Sequence, residues 1–401
     1  FILLYLCVPT ILRANPANET IQAFLGKAYG SGRVKQVAVL FSFIGYVSIF
    51  SMELLVGVTV LEPFMGDNVL IISFLYLLFI LAYSCLGGFR AIVATEQWQI
   101  RFVVVAVLAM LAAIPMVAAN SAASIDYSAI ADKVLTTWGA PLTFTIGIIF
   151  MNLPAAISDS GSWQRLCATR SEEDAKQGIR KAIPLFIMIW GVLILGACFV
   201  AQTAISTGAF DPAKSSLMTF IVSTLAASGP LHLVVLFVFM LGLFAAMITT
   251  ADSLLLVAAQ MFAVDVMRLP SANVSDSAKI GKARLVLVLI AVLSFALFAL
   301  FRFIKFDVVQ LIFSIYGANL ALFPSVVAAL FLSKRLDLRH SAVAATLSIF
   351  AGFAAAWASA IYGKVSGTMD WLYNAPAMSF GASCLVFGAL VVVPRIWRKR
   401  P

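Results

Sequence analysis

Four residues in one apolar stretch, Ala246, Thr249, Thr250 and Ser253, are related by steps of three, four and seven positions. On an α-helix those steps place them on one side. Two hydroxyls and a backbone carbonyl that they free are hard oxygen donors, suited to Na⁺ as to other hard cations. A second reading stays open, in which each threonine hydroxyl bonds back to the carbonyl of the preceding turn. Glu53 is the lone charge between positions 36 and 61. A solitary carboxylate in an apolar helix is expensive unless it faces a polar cavity, takes up a proton or packs against another polar helix. Glu96 follows Gly87-Gly88 by two turns. The glycines predict a tight turn and the acid suits the start of a helix. Asn152 and Pro154 can free backbone groups within another apolar segment. No Walker loop, HExxH or GxSxG motif occurs, and Gly30-Ser31-Gly32 reads as a plain turn. The five cysteines are scattered and form no CxxC pair, so they point to neither a disulfide frame nor a metal site.

The elements that must hold these residues follow from composition. The 401-residue chain is 62% hydrophobic and 11% charged, against about 25% charged for a soluble domain, and its mean hydropathy is +1.03. A soluble fold cannot cover that much apolar side chain, which excludes a soluble enzyme, a nucleic-acid binder and a disordered scaffold. A spanning helix needs about 20 mostly apolar residues. Stretches of that kind lie at 36–61, 68–86, 93–119, 138–158, 182–207, 230–264, 285–304, 308–333, 341–363 and 372–394, after an apolar fragment at 1–12. The shorter stretch Ser215 to Ser228 reads as an interfacial or partly inserted helix. Strands of alternating polarity, the signature of a membrane barrel, are absent from the sequence.

The net charge of +9 is distributed by loop. One set of loops carries Arg13, Lys27, Arg33 and Lys35, then Arg90, Arg165, Arg170, Lys176, Arg180 and Lys181, and later Arg268, Lys279, Lys282, Arg284, Lys334, Arg335, Arg339 and the basic C-terminus. The alternate set holds Lys133, Lys214, Arg302, Lys305 and Lys364. The positive-inside rule puts the first set, and the C-terminus with it, in the cytoplasm.

Three stretches resemble the sodium:solute symporter family, whose members carry proline, pantothenate, sugars and sialic acid. GGFRAIVATEQWQ at 87–99 is similar to the family's GG-x-x-A-V-x-x-T-D-x-x-Q pattern, WQRLCATRSEEDAKQG at 163–178 to its WQR loop, and AAMITTADSLLLVAAQMFAVDV at 245–266 to its most diagnostic helix. YGANLALFPSVVAALF at 316–331 fits a later family helix, with Phe323-Pro324 where a Gly-Pro pair is expected. The resemblance implies a LeuT-like fold of two inverted five-helix repeats: 1–119 the remainder of the first repeat, 138–333 the second, and 341–394 two additional helices. By the same alignment 1–12 ends the second core helix, and the first core helix is missing from the chain. Ala246, Thr249 and Thr250 fall on the family's sodium-site positions, a carbonyl and two hydroxyls. Glu96 stands where the family usually has Asp, on the cytoplasmic exit path, where in some members it helps a second cation site with positions such as Ser253. Thr249-Thr250 replaces the usual Ser-Ser or Ser-Thr, and Ala258-Ala259 replaces small hydroxyls.

These features imply an all-α polytopic membrane protein with about ten full spans and a partial N-terminal one, in a bacterial inner membrane. The expected activity is transport, not catalysis: Na⁺-coupled import of a small organic solute, without organic cofactor or nucleic acid. Glu53 and Asn152 are the candidate solute contacts. The alternative is a solute-sensing membrane domain of the same fold that regulates a partner. The charge asymmetry predicts that reporter fusions after residue 128 and after residue 172 signal opposite compartments; the same compartment at both sites would overturn this topology.

Overall fold

The computed structural model describes residues 1–16, 18–65, 68–119, 142–206, 217–227, 229–267, 277–306 and 308–398. Among them there are helices and no strands. The helices are α1 (Ile2–Ala14), α2 (Ile21–Ala28), α3 (Gly32–Met65), α4 (Val69–Ala119), α5 (Leu142–Asn152), α6 (Ala155–Ser158), α7 (Ser160–Cys167) and α8 (Glu172–Ser206). They continue with α9 (Leu217–Ala227), α10 (Pro230–Met261), α11 (Ser277–Phe303), α12 (Val308–Asn319), α13 (Phe323–Phe331), α14 (Ala342–Ser366), α15 (Met369–Tyr373) and α16 (Ala375–Arg398). Among the described residues nine helical segments are long and apolar enough to cross a bilayer. Ten full spans were expected; the difference is the last, whose apolar part, Ala375–Val391, is shorter. Residues 138–141, the expected start of the fourth span, lie outside the described residues.

Local chemistry explains most boundaries. Gly88, at φ 55° and ψ −150°, divides α4 into the spans Leu70–Gly88 and Ala91–Ala113. Only glycine reaches that region without strain, so the turn expected at Gly87-Gly88 is where the chain kinks between two helical segments. The span expected as continuous at 138–158 is instead broken after Asn152 and again at Asp159. Pro154 lacks the N–H that would continue the ladder, and Asp159 caps α7 by accepting from Ser162 N–H at 2.6 Å. Thr20 caps α2 in the same way, accepting from Ala23 N–H at 3.1 Å. α8 opens with Glu172, Glu173 and Asp174 in its first turn, where carboxylates favour the positive end of the helix dipole. Ser171 Oγ accepts from Asp174 N–H there at 3.1 Å.

The helices form two compact units. One comprises Phe1–Met52, Ala140–Arg180 and Ser253–Pro401. Its core includes a polar network behind the broken span. Gln22, fully buried, donates to Ser42 Oγ and Ser160 Oγ, both at 2.9 Å. Tyr46 donates to Asp159 Oδ1 at 2.6 Å and accepts from Ser160 N–H at 2.8 Å. At the end of α10, where the chain widens into a π turn at Phe262–Val266, the side chain of Asp265 is completely buried and pairs with Lys35 Nζ at 2.9 Å. Thr20 donates its hydroxyl to the other oxygen of Asp265 at 2.8 Å. The second unit comprises Glu53–Gly139 and Lys181–Asp252. Its apolar core joins Ala106, Met110 and Ala113 of α4 to Val200 of α8, Ile221 and Leu225 of α9, and Leu236 and Phe239 of α10.

Removing one partner of an ion pair whose other member is enclosed is destabilising, whereas replacing both with apolar residues is often near neutral; the Lys35 side chain is 32% exposed, so solvent tempers the cost here. Lys35→Met is therefore expected to lower thermal stability in detergent. The double variant Lys35→Met/Asp265→Leu should recover most of that loss. Equal melting of the single variant and the unaltered chain would contradict the pairing.

Candidate functional site

The candidate cation residues lie on α10, and Ala246, Thr249, Thr250 and Ser253 are each half-buried. Both threonine hydroxyls bond back one turn: Thr249 Oγ1 to Ala245 O at 2.8 Å and Thr250 Oγ1 to Ala246 O at 3.3 Å. The second reading of these residues is thus present in the structure. It leaves the cation reading open, because a hydroxyl that donates its one proton still holds two lone pairs. Thr249 Oγ1 also lies 2.8 Å from Gln99 Oε1 on α4. One hydroxyl proton cannot serve two acceptors. The contact is satisfied by turning the Gln99 amide so that its N–H₂ donates to Thr249 while Thr249 donates to Ala245 O, an exchange of near-identical shapes. Thr249 is then held from two sides.

Ser253 has a different partner. Arg165 Nη2 donates to Ser253 Oγ at 2.9 Å, so a guanidinium sits on the oxygen that a cation would need. Next along the helix, Asp252 is completely buried, and Tyr83 of α4 donates to its Oδ2 at 2.6 Å. Tyr83 is also within electrostatic reach of Tyr76 and of Glu96. Tyr76 in turn feels both Glu53 and Asp252. Asn152 stands apart: its side chain is exposed and its Nδ2 donates to Ile148 O at 2.9 Å, within its own helix.

Gln99, Arg165, Tyr76, Tyr83 and Asp252 were not singled out from the sequence. For Asp252 a signal existed, since it is a second carboxylate in an apolar span, the feature that drew attention to Glu53. For Gln99 and Arg165 the signal is their membership of the quoted stretches. All three stretches meet α10: GGFRAIVATEQWQ through Gln99 to Thr249, and WQRLCATRSEEDAKQG through Arg165 to Ser253. The WQR stretch is anchored by Trp163, buried against Phe24 at 5.2 Å between ring centroids and donating to Ile157 O at 2.7 Å.

The model of the sodium:solute symporter family matches residues 1–347. The chain belongs to the sodium:solute symporter family. A comparison with curated proteins finds no match. Among solved structures, one described as the substrate-bound outward-open state of a Na⁺-coupled sialic acid symporter, with a novel Na⁺ site, is 18% identical, covering 96% of this chain and 81% of that one with a TM-score of 0.67. At that identity the likeness is one of fold, and it agrees with the helical, LeuT-like membrane architecture implied by the three stretches. Family and fold make this a multi-pass membrane protein of a class that couples solute movement to Na⁺.

The Tyr83–Asp252 bond is a charge-assisted one, of a kind whose loss costs about 1.5–3 kcal/mol. Tyr83→Phe is expected to lower the melting temperature of the purified protein, and Tyr83→Leu to lower it further by also removing the ring. A Tyr83→Phe variant as stable as the unaltered protein would show that the hydroxyl does not hold Asp252.

Proposed function

We propose that the protein imports a small organic solute by Na⁺-coupled alternating access. The observation that carries this is the turn Ala246–Thr250 in a chain of this family, with its two hydroxyls fixed by their own helix and, at Thr249, by Gln99. Na⁺ would take the Thr249 and Thr250 oxygens together with the Ala246 carbonyl. It would favour the outward-open state, admit solute, and leave inward with it. Each charge moving down about 100 mV supplies roughly 2.3 kcal/mol, which is the work available to accumulate solute.

Glu96 and Ser253 are assigned to a second cation position or to the exit path. Arg165, which donates to Ser253, gives that path a positive group for a departing cation to pass. Glu53, buried in α3, and Asn152, exposed beside the break between α5 and α6, are the candidate solute contacts. The two inverted repeats, 1–119 and 138–333, with 341–394 added, are the organisation that alternating access would use. The membrane is a bacterial inner membrane, with the C-terminus in the cytoplasm on the strength of the basic loops.

Losing one ligand oxygen should cost on the order of 1–3 kcal/mol, or about tenfold to a hundredfold in affinity. Thr249→Ala and Thr250→Ala are accordingly expected to raise the Na⁺ concentration needed for half-maximal uptake, with solute affinity at saturating Na⁺ changed less. Thr→Ser at either position keeps the oxygen and should be mild. The measurement is solute uptake in proteoliposomes against Na⁺ concentration, with choline as the replacing cation. Unchanged Na⁺ dependence in both alanine variants would remove the assignment.

A further inference from the structure

The two parts of the broken span Leu142–Cys167 are held differently. The inner part, α6 and α7, is fixed by bonds from Tyr46 to Asp159, from Gln22 to Ser160 and from Trp163 to Ile157 O. The outer part, α5, is separated from it by the break after Asn152. It is gripped by a segment that lies past residue 347, where the family match ends. That segment is α15, the five-residue helix between α14 and α16. One face of α5, set by steps of three and four, carries Thr143, Phe144 and Gly147. The Thr143 hydroxyl donates to Asp370 Oδ1 of α15 at 2.6 Å. The rings of Phe144, of Phe313 on α12 and of Tyr373 on α15 form a closed triangle, with centroids 5.2–5.3 Å apart. A Cβ at Gly147 would run into both Tyr373 O and the Phe313 ring, so glycine is what lets α5 seat this closely. On α12, a Cβ at Gly317 would reach 2.9 Å from Pro376 N, just after α15. The approach to α15 is set as well. Gly367 ends α14 at φ 71°, in the left-handed region, and Lys364 in the last turn of α14 donates to Lys305 O at 2.9 Å. Lys305 and Lys364 belong to the sparse set of loop cations, which the charge rule puts outside.

We propose that α15 is an external latch, which clasps α5 to α12 and lets go when the outer half of the broken span moves. The bonds of the clasp suit release. Thr143 and Asp370 meet in an exposed position, where water replaces their hydrogen bond at little net cost. The three rings part without stranding a buried polar group. The inner half has the opposite character, since moving it would leave the buried Tyr46 and Gln22 without partners. The latch rests on the transport reading for one thing only, that Na⁺ favours the state open to the outside.

The test is hydrogen–deuterium exchange of the purified full chain in nanodiscs, in Na⁺ and in choline, with Na⁺ alone as the probe. In the unaltered chain Na⁺ is expected to speed exchange in 142–152 and 369–373 by about three- to tenfold, the effect of undoing one hydrogen bond or ring contact, and to leave 160–167 unchanged. Gly147→Ala, which pushes α15 off α5, should reach that level in choline and gain little more from Na⁺. Thr143→Val keeps the side-chain shape and should reach part of it; this variant carries the test if Gly147→Ala is not monodisperse. Exchange in 142–152 that stays at the unaltered level in the variants overturns the latch. So does a loosened variant that still gains the full Na⁺ increment, because the ion then opens something else. Na⁺ that alters exchange in 245–253 but in neither 142–152 nor 369–373 overturns the latch and leaves the Na⁺ reading standing. If Na⁺ alters exchange nowhere in the unaltered chain, the Na⁺ reading fails, while faster exchange of 142–152 in the variants in choline still upholds the clasp.

Discussion

Hydrocarbon offers no hydrogen bonds, so each backbone amide and each charge within the membrane must find its partner inside the protein. The helices of this chain follow directly from that demand, and so does the placing of their interruptions. Where the ladder breaks at Pro154 and Asp159, the gap is closed by Tyr46, Gln22 and Ser160, all buried, and by the Asp159 carboxylate as a cap. Where α12 passes into α13 through a 3-10 turn at Leu320–Leu322, those three residues are almost completely enclosed. Irregular backbone at membrane depth is tolerated where protein covers it or where it lines a cavity; the 3-10 turn is covered, and at the first break Pro154 is buried while Asn152 and Leu153 are exposed.

The same rule governs the charges. Asp265 is completely buried and has Lys35 and Thr20. Asp252 is completely buried and has Tyr83. These two carboxylates lie on one stretch of chain, α10 and the π turn that ends it, yet they have different partners. The first is a cation–anion pair, neutral as a whole, and suits a permanent joint. The second takes a hydrogen bond from a phenol, which ties α10 to α4 within the second unit.

Much of this was legible in the sequence, for reasons that differ from residue to residue. The spans declare themselves by length and apolarity, and Gly87-Gly88 marks the kink within 69–119 because glycine readily takes the positive φ found at Gly88. The short helix α2 was not legible. Its eight residues mix polar and apolar side chains, and its burial depends on Trp163, far along the chain. The 3-10 turn was hidden in the apolar run Leu320 to Phe323, with Asn319 before it and Pro324 after it as its local signs. At the candidate site, Thr249, Thr250 and Glu53 could be chosen because each is polar where its neighbours are not. Tyr76 and Tyr83 could not be chosen that way, since a tyrosine in an aromatic-rich span looks like packing. Tyr83 takes its meaning from Asp252, the carboxylate it meets 169 positions away. Gln99 is similar, 150 positions from Thr249.

Threonine at 249 and 250, where serine is more usual in the family, acquires a physical sense from these contacts. A β-branched side chain is stiff about χ1, and a hydroxyl bonded to the carbonyl of the preceding turn is stiffer still. Serine in the same place samples more rotamers and must be ordered when an ion arrives. The bond back to Ala245 or Ala246 therefore does not compete with ion binding. It uses the proton, which a cation would repel, and turns the lone pairs outward in a fixed direction. Gln99 adds a second restraint on Thr249 alone. The two hydroxyls are consequently unequal: Thr249 is held by two elements and Thr250, whose bond to Ala246 O is longer at 3.3 Å, by one. In the proposed cation site Thr249 would offer the lone pair that Gln99 leaves, and Thr250 an oxygen that must tighten, whose geometry a change in α10 can alter.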